Sequence, residues 1–238
     1  GGNFGVVVSF EFALHDIPSE LMFCAPIYPE EMANEIVPKW RDFMATAPER
    51  LSGLAEFSTI PNDPAFPEHT WGRRVVALAH LYDGPAEEGE RVVAPMRGFG
   101  ETLLDFSGPM PYRTIQTLYD AIFPKGRDRC YWKSTYLKGL DDGIIREITA
   151  HLARRPSEMT FASIWKFGGA MQRVPADGSG FGDRSAAFMV SLDEIWPDAE
   201  DDEANFGGKG LWLVIAEQVL QAFQRDDDRR IAARCVGR

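Results

Sequence analysis

The sequence predicts an α+β protein: one mostly antiparallel sheet with helices packed on a single face. Three observations carry this expectation. Short tracts of alternating apolar and polar residues recur along the chain, as strands with one buried face require. Helical stripes stand between groups of strands rather than after every strand, which disfavours a parallel, doubly covered sheet. Several strand tracts are half polar, which a solvated sheet face allows and a fully buried sheet does not.

Taken in order, Gly5 to His15 alternates Val6, Val8, Phe10 and Phe12 against Val7, Ser9 and Glu11, and reads as a strand. A second strand is expected in Glu20 to Tyr28. Pro29-Glu30-Glu31 then opens a helix, with proline in the first turn and acids at the positive end of the dipole. Its stripe is Met32, Ile36, Trp40, Phe43 and Met44. Further strands are expected at Gly53–Ile60, Arg74–Tyr82, Glu101–Phe106, Arg129–Leu137, Glu158–Phe167 and Ser185–Leu192. Helices are expected at Ala86–Val93, Tyr112–Phe123, Asp142–Ala153 and within Leu211–Phe223. The proline-rich stretch Asn62 to His69 reads as a loop.

Composition excludes several functions. The 238 residues carry a net charge of −11, which opposes binding to nucleic acid or to an anionic membrane, since both need a basic face. No apolar run approaches the ~20 residues of a membrane helix. The most apolar tracts, Val6-Val7-Val8 and Leu211-Trp212-Leu213-Val214-Ile215, are far too short. A soluble, cytoplasmic protein is the expectation, and no signal-peptide pattern is present in the given sequence, which begins at Gly1 without a Met. Cys24, Cys130 and Cys235 are odd in number and widely spaced, and the four histidines are scattered, so neither a disulfide framework nor a metal site is expected. The acidic run Asp198 to Glu203 lacks the alternating spacing of a calcium loop and reads as a helix N-terminal cap or a solvated loop.

The glycine-rich start is the most informative motif. Gly1-Gly2-Asn3-Phe4-Gly5-Val6-Val7 sets residues that tolerate positive φ before a strand. Its N–H groups could turn inward on a phosphate or a flavin edge, or the segment could be a tight turn only. It is not a dinucleotide-binding fingerprint, because no strand precedes it and no helix follows.

That start, followed by Phe10-Glu11-Phe12, is similar to the sequence that closes the FAD-binding domain in the berberine-bridge-enzyme-like family of FAD-linked oxidases. Two more segments agree in order and spacing. Tyr131-Trp132-Lys133-Ser134 resembles the family's aromatic-Lys-Ser strand. Phe167-Gly168-Gly169-Ala170-Met171, Arg173-Val174-Pro175-Ala176-Asp177 and Phe181-Gly182-Asp183-Arg184 together resemble its Gly-Gly, Val-Pro-Ala-Asp and Phe-x-His-Arg signature. The likeness runs from Gly1 to about Glu203, with Asp183 where the family usually has His. Beyond it, residues 207–238 form a divergent helix and charged tail.

The resemblance implies that residues 1–12 end a flavin-binding domain and that residues 13–206 form a substrate-binding α+β domain. It implies FAD as cofactor, with Gly1, Gly2, Asn3, Phe4, Gly5, Val6 and Val7 lying against it. The residues that attach the flavin fall before Gly1 in the family, so this portion is expected to be inactive by itself. Pocket residues are expected on the sheet: Trp165, shortly before the Gly168-Gly169 pair, with Trp132, Lys133 and Ser134. Strand alternation puts Trp132, Ser134 and Tyr136 on one face and Tyr131, Lys133 and Thr135 on the other. Where related sequences carry a carboxylate base, this chain shows Met189-Val190, so no base is named. The implied partners are a small-molecule substrate and either a flavin-binding half or a second copy meeting an exposed sheet face. The alternative is a non-catalytic α+β module that binds a ligand or a protein.

Overall fold

The computed structural model describes residues 5–120, 126–175, 177–178, 180–181 and 184–206. In chain order its strands are β1 (Leu21–Cys24), β2 (Pro26–Pro29), β3 (Leu51–Thr59), β4 (Arg74–Tyr82), β5 (Leu104–Asp105), β6 (Gly108–Met110), β7 (Arg129–Leu137), β8 (Phe161–Lys166) and β9 (Phe188–Trp196). Its α-helices are α1 (Ala33–Thr46), α2 (Ala86–Val93), α3 (Tyr112–Gln116), α4 (Asp142–Leu152), α5 (Ala170–Arg173) and α6 (Asp202–Phe206). The strands form one open sheet in the order β5-β2-β4-β3-β8-β9-β7, with β1 pairing β4 and β6. Every pairing is antiparallel.

Register divides the sheet into two faces. Leu137, Phe188, Val190, Leu192, Ala162, Ile164, Ala55, Phe57, Val76 and Leu78 point to one side and belong to the main core. On them α1 lays Ile36, Val37, Trp40 and Met44, and α4 lays Ile144, Ile145, Ile148 and Leu152. Each buried aliphatic or aromatic side chain contributes roughly 1.5–3 kcal/mol of hydrophobic stabilisation, so this layer dominates the fold. Helix α4 starts where Asp141 caps it, its side chain accepting the Ile144 N–H at 2.9 Å. Arg41 of α1 donates to the Leu140 carbonyl and the Asp142 carboxylate, tying the two helices together at that end.

Close approach fixes the middle of the sheet. A Cβ on Gly53 would lie 2.3 Å from the Ala79 carbonyl oxygen and 2.6 Å from the His80 ring, so only glycine fits opposite that ring. His80 is buried and accepts from the Trp40 indole N–H at 2.8 Å. Burial pushes the imidazole down to about 4, which keeps it neutral as an acceptor must be. A buried ion pair closes the other end: Arg155 Nη1 meets Glu30 at 2.7 Å, and its Nη2 donates to the Ser58 carbonyl and the Thr59 hydroxyl. One guanidinium thereby joins the turn before α1, the end of β3 and the segment after α4.

Most expected elements are present, with Arg74–Tyr82, Arg129–Leu137 and Ala86–Val93 at the expected bounds. The strand expected at Gly5 to His15 is a correction. Residues 5–18 carry no regular structure, and Val6, Val8, Phe10 and Phe12 lie 74–92% exposed. A strand is completed by a neighbour's N–H and C=O groups, and no described residue pairs with this segment. Phe10 and Phe12 still stack with centroids 5.7 Å apart, as residues two apart on an extended chain can. The strand expected at Glu101–Phe106 shortens to β5, and β6 was missed because Gly108 and Pro109 mask a strand at an edge. The helix expected to reach Phe123 ends at Gln116, beyond which Thr117–Asp120 is turn. The acidic run Asp198 to Glu203 forms a 3-10 turn, Ala199–Asp201, and the first turn of α6, with no side-chain cap hydrogen bond from Asp198. The helix expected within Leu211–Phe223 lies outside the described residues.

Candidate functional site

On the face opposite α1, α2 and α4, Trp132, Ser134 and Tyr136 of β7 and Trp165 of β8 are exposed, whereas Leu54, Ser163 and Asp193 are buried and Glu56 is half-buried. Register runs three rows across it. The first joins Trp132 on β7, Asp193 on β9 and Phe161 on β8. The second joins Ser134, Ser191, Ser163 and Glu56, the last on β3. The third joins Tyr136, Met189, Trp165 and Leu54. Trp132 is 53% exposed and Trp165 40%, values far from those of core tryptophans such as Trp40.

Three of the four expected pocket residues therefore share one surface: Trp165, Trp132 and Ser134. Lys133 does not join them. It faces Leu192 from the helix side of the sheet, with its ammonium 5.2 Å from the Tyr131 ring centre. Adjacent residues of a strand cannot serve one pocket from one face.

Aromatic packing shapes one end of this surface. The Tyr136 ring lies 5.9 Å from Phe167 and 6.2 Å from Phe181, and the Arg184 guanidinium stands 5.1 Å over Phe181. The Gly168-Gly169 pair turns the chain out of β8 at this point. Gly169 has φ +58°, and a Cβ there would lie 2.8 Å from a Glu49 carboxylate oxygen. The conformation favours glycine there, while the exposed Glu49 side chain could move aside.

Acidic groups occupy the middle, and sequence reasoning missed them. Glu56 is half-buried among the serines, and burial with the nearby charge of Asp193 raises its carboxyl to about 7, against a hydrogen bond with Tyr119 that lowers it. Tyr119 reaches it from the turn after α3; burial and the Glu56 charge push the phenol well above its ordinary range. Asp193 is buried, accepts from the Ser191 hydroxyl at 2.9 Å, and is raised by burial despite that bond. Two carboxylates with raised pKa values on one face of a sheet mark a place where protons or donor groups can be held. The signal in the sequence was small: Glu56 breaks an otherwise apolar and small-residue strand, Leu54 to Ile60.

Of the glycine-rich start only Gly5 to Val7 is described. Gly1, Gly2, Asn3 and Phe4 lie outside the described residues. A Cβ added to Gly5 would meet nothing within 4 Å, and Val6 and Val7 are 90% and 65% exposed. Among the described residues these form no cradle, so they do not by themselves fit the cofactor. No cluster of three or more potential metal ligands occurs among the described residues, and no helix there is long and apolar enough to cross a membrane.

No family model matches the chain. An FAD-linked oxidoreductase of Dictyostelium discoideum is 25% identical over 206 residues, covering 84% of this chain and 42% of the relative. The chain thus spans about two fifths of that protein's length. Among solved structures, BBE-like protein 28 from Arabidopsis thaliana superposes with a TM-score of 0.65 at 17% identity, over 89% of this chain and 44% of that one. Aclacinomycin oxidoreductase gives a TM-score of 0.66 at 16% identity, over 87% and 42%. Berberine bridge enzyme from Eschscholzia californica gives 0.60 at 15% identity, over 88% and 41%. At these identities the structural likeness establishes the fold, an open α+β layer carried within much longer chains. In sequence the chain resembles an FAD-linked oxidoreductase, and in fold it resembles about two fifths of a berberine-bridge-enzyme-like protein.

Proposed function

We propose that this chain is the substrate-binding portion of an FAD-dependent oxidoreductase acting on a small alcohol, amine or phenolic-type substrate. One observation carries the reading: the sheet leaves Trp132, Trp165, Ser134 and Tyr136 exposed on one face while, among the described residues, α1, α2 and α4 pack on the other. Soluble proteins seldom expose contiguous apolar surface beyond a few hundred Å² unless something covers it. Here the covering would be substrate and a flavin-binding portion. Flavin would supply the oxidising chemistry and this chain the substrate-binding surface and its hydrogen-bonding groups.

A second reading rests on the lack of a flavin cradle among the described residues. By itself the chain could be a non-catalytic α+β module that binds a ligand or a protein. A chimaera separates the two. The chain replaces the matching 42% of the Dictyostelium relative, and bound flavin and oxygen uptake are measured with benzylic alcohols and amines. Flavin retention with substrate-dependent oxygen uptake, lost on Trp165→Ala, supports the oxidoreductase reading. A folded, flavin-loaded chimaera that turns over none of them supports the module.

A further inference from the structure

The rows on the open face place one carboxylate beside one exposed aromatic platform. Glu56 and Trp165 occupy adjacent strands, β3 and β8, and stand diagonally: Glu56 pairs Ser163, while Trp165 pairs Leu54. Diagonal neighbours on a sheet lie about 7–8 Å apart, the length of one substituted ring. Trp132, by contrast, is on β7, three strands from Glu56 in the sheet order, roughly 14 Å at the usual strand spacing. A small ligand reaches Glu56 from Trp165 and not from Trp132.

We propose that Glu56, in its carboxylate form, is the acceptor that selects a hydroxyl-bearing ring stacked on Trp165. The proposal rests on reading the open face as the substrate face and adds the residue and the ligand group it recognises. Glu56 is suited to this because its surroundings leave it an acceptor with capacity. Its titratable neighbours are Asp193 from β9 and Tyr119 from the turn after α3, and its row supplies the Ser163, Ser191 and Ser134 hydroxyls with no cation. Tyr119 engages one hydrogen bond of a group that can accept about four. A hydroxyl on the ligand completes the shell of the ionised group, whereas an ether oxygen would face that carboxylate without a proton to share. Trp165 supplies area at low entropic cost.

The group's own ionisation supplies the test. Burial and Asp193 hold Glu56 near neutrality, so it passes from mostly protonated at pH 6 to mostly ionised at pH 8. Hydrogen bonds to an ionised acceptor are roughly twice as strong as neutral ones, which tightens binding about fivefold across that interval. The experiment uses the full 238-residue chain. Benzyl alcohol and benzyl methyl ether are titrated at pH 6 and pH 8, with tryptophan fluorescence as readout and Trp165→Phe identifying the responding residue. The expected result is a fivefold tightening for the alcohol, no tightening for the ether, which loses the proton of Glu56 as pH rises, and none for the alcohol with Glu56→Gln. The ether arm needs no variant and keeps the test sound if Glu56→Gln does not fold. An equal step for the ether, or one that survives Glu56→Gln, overturns the role of Glu56. Binding of both probes without any step overturns it while leaving the face as a ligand surface. Binding of neither overturns the proposal and the reading of the face together.

Discussion

Replacing Glu194 with Gln should stabilise the protein, and only above the acid range. Glu194 sits on β9 next to Asp193 but points to the opposite side, paired with Tyr131. It is 1% exposed, and neither carboxylate oxygen has a hydrogen-bond partner among the described residues. Burial raises its carboxyl from 4.5 to about 7. The sign follows from proton counting. Between those two values the folded state holds a proton that the unfolded state has released, so stability falls as pH rises across the window. At 1.36 kcal/mol per unit, the full interval corresponds to about 3 kcal/mol, an upper bound. Gln is uncharged at every pH and nearly isosteric, so the variant escapes this loss. For a chain of this size 1 kcal/mol moves Tm by about 2–4 °C. Thermal unfolding followed by circular dichroism should show the variant close to wild type at pH 4.5. At pH 8 it should melt several degrees higher. Glu56 and Asp193 add pH dependence of the same sign to both proteins, and the difference between the two isolates Glu194. A gap of equal size at both pH values, or a variant less stable at pH 8, would refute this.

Other expectations follow from single observations. Gly169→Ala forces a side chain into φ +58° and against Glu49, and should cost about 1–3 kcal/mol in urea unfolding; no loss would show that the turn relaxes freely. Glu30→Ala leaves the Arg155 guanidinium buried without its anion and should cost about 3–5 kcal/mol, whereas a surface-like loss below about 1 kcal/mol would contradict the buried pair. Trp165→Ser removes an exposed ring and should change stability by less than about 1 kcal/mol while raising solubility, as light scattering would show. The purified chain by itself should be colourless, because Gly1 to Val7 can offer only a few backbone contacts; stoichiometric flavin absorbance would overturn that.

Periodicity made the sheet legible, and residue identity made only half of the site so. β4 and β7 were readable because each is nine residues long, rich in branched and aromatic residues, alternating over part of its length and bounded by turn residues. The segment at Gly5 to His15 has the same alternation and is not a strand, because pattern reports which face could be buried and not whether a partner lies alongside. The same limit hid β6, whose pairing with β1 comes from position at the sheet edge rather than from propensity. Within the proposed site, Trp132 and Trp165 were singled out by motif likeness, and alternation alone could separate Lys133 from its neighbours. Glu56 and Tyr119 come together only through the fold, from positions 63 residues apart in sequence. Burial also gives Asp193 and Glu194 their raised pKa values, and adjacent acids in a sequence say nothing of which sheet face each will take.

The central claim is that the open face of the sheet is the working face, and oxidative footprinting of the tryptophans tests it most directly. The isolated chain and the chimaera with the Dictyostelium flavin-binding portion are exposed to hydroxyl radicals, and modification is read residue by residue. Trp165 and Trp132 should be modified readily in the isolated chain and be protected several-fold in the chimaera. Trp40, already buried under α1, should be inert in both. Equal modification of Trp165 and Trp132 in the two proteins would contradict the account, since the open face would then cover nothing.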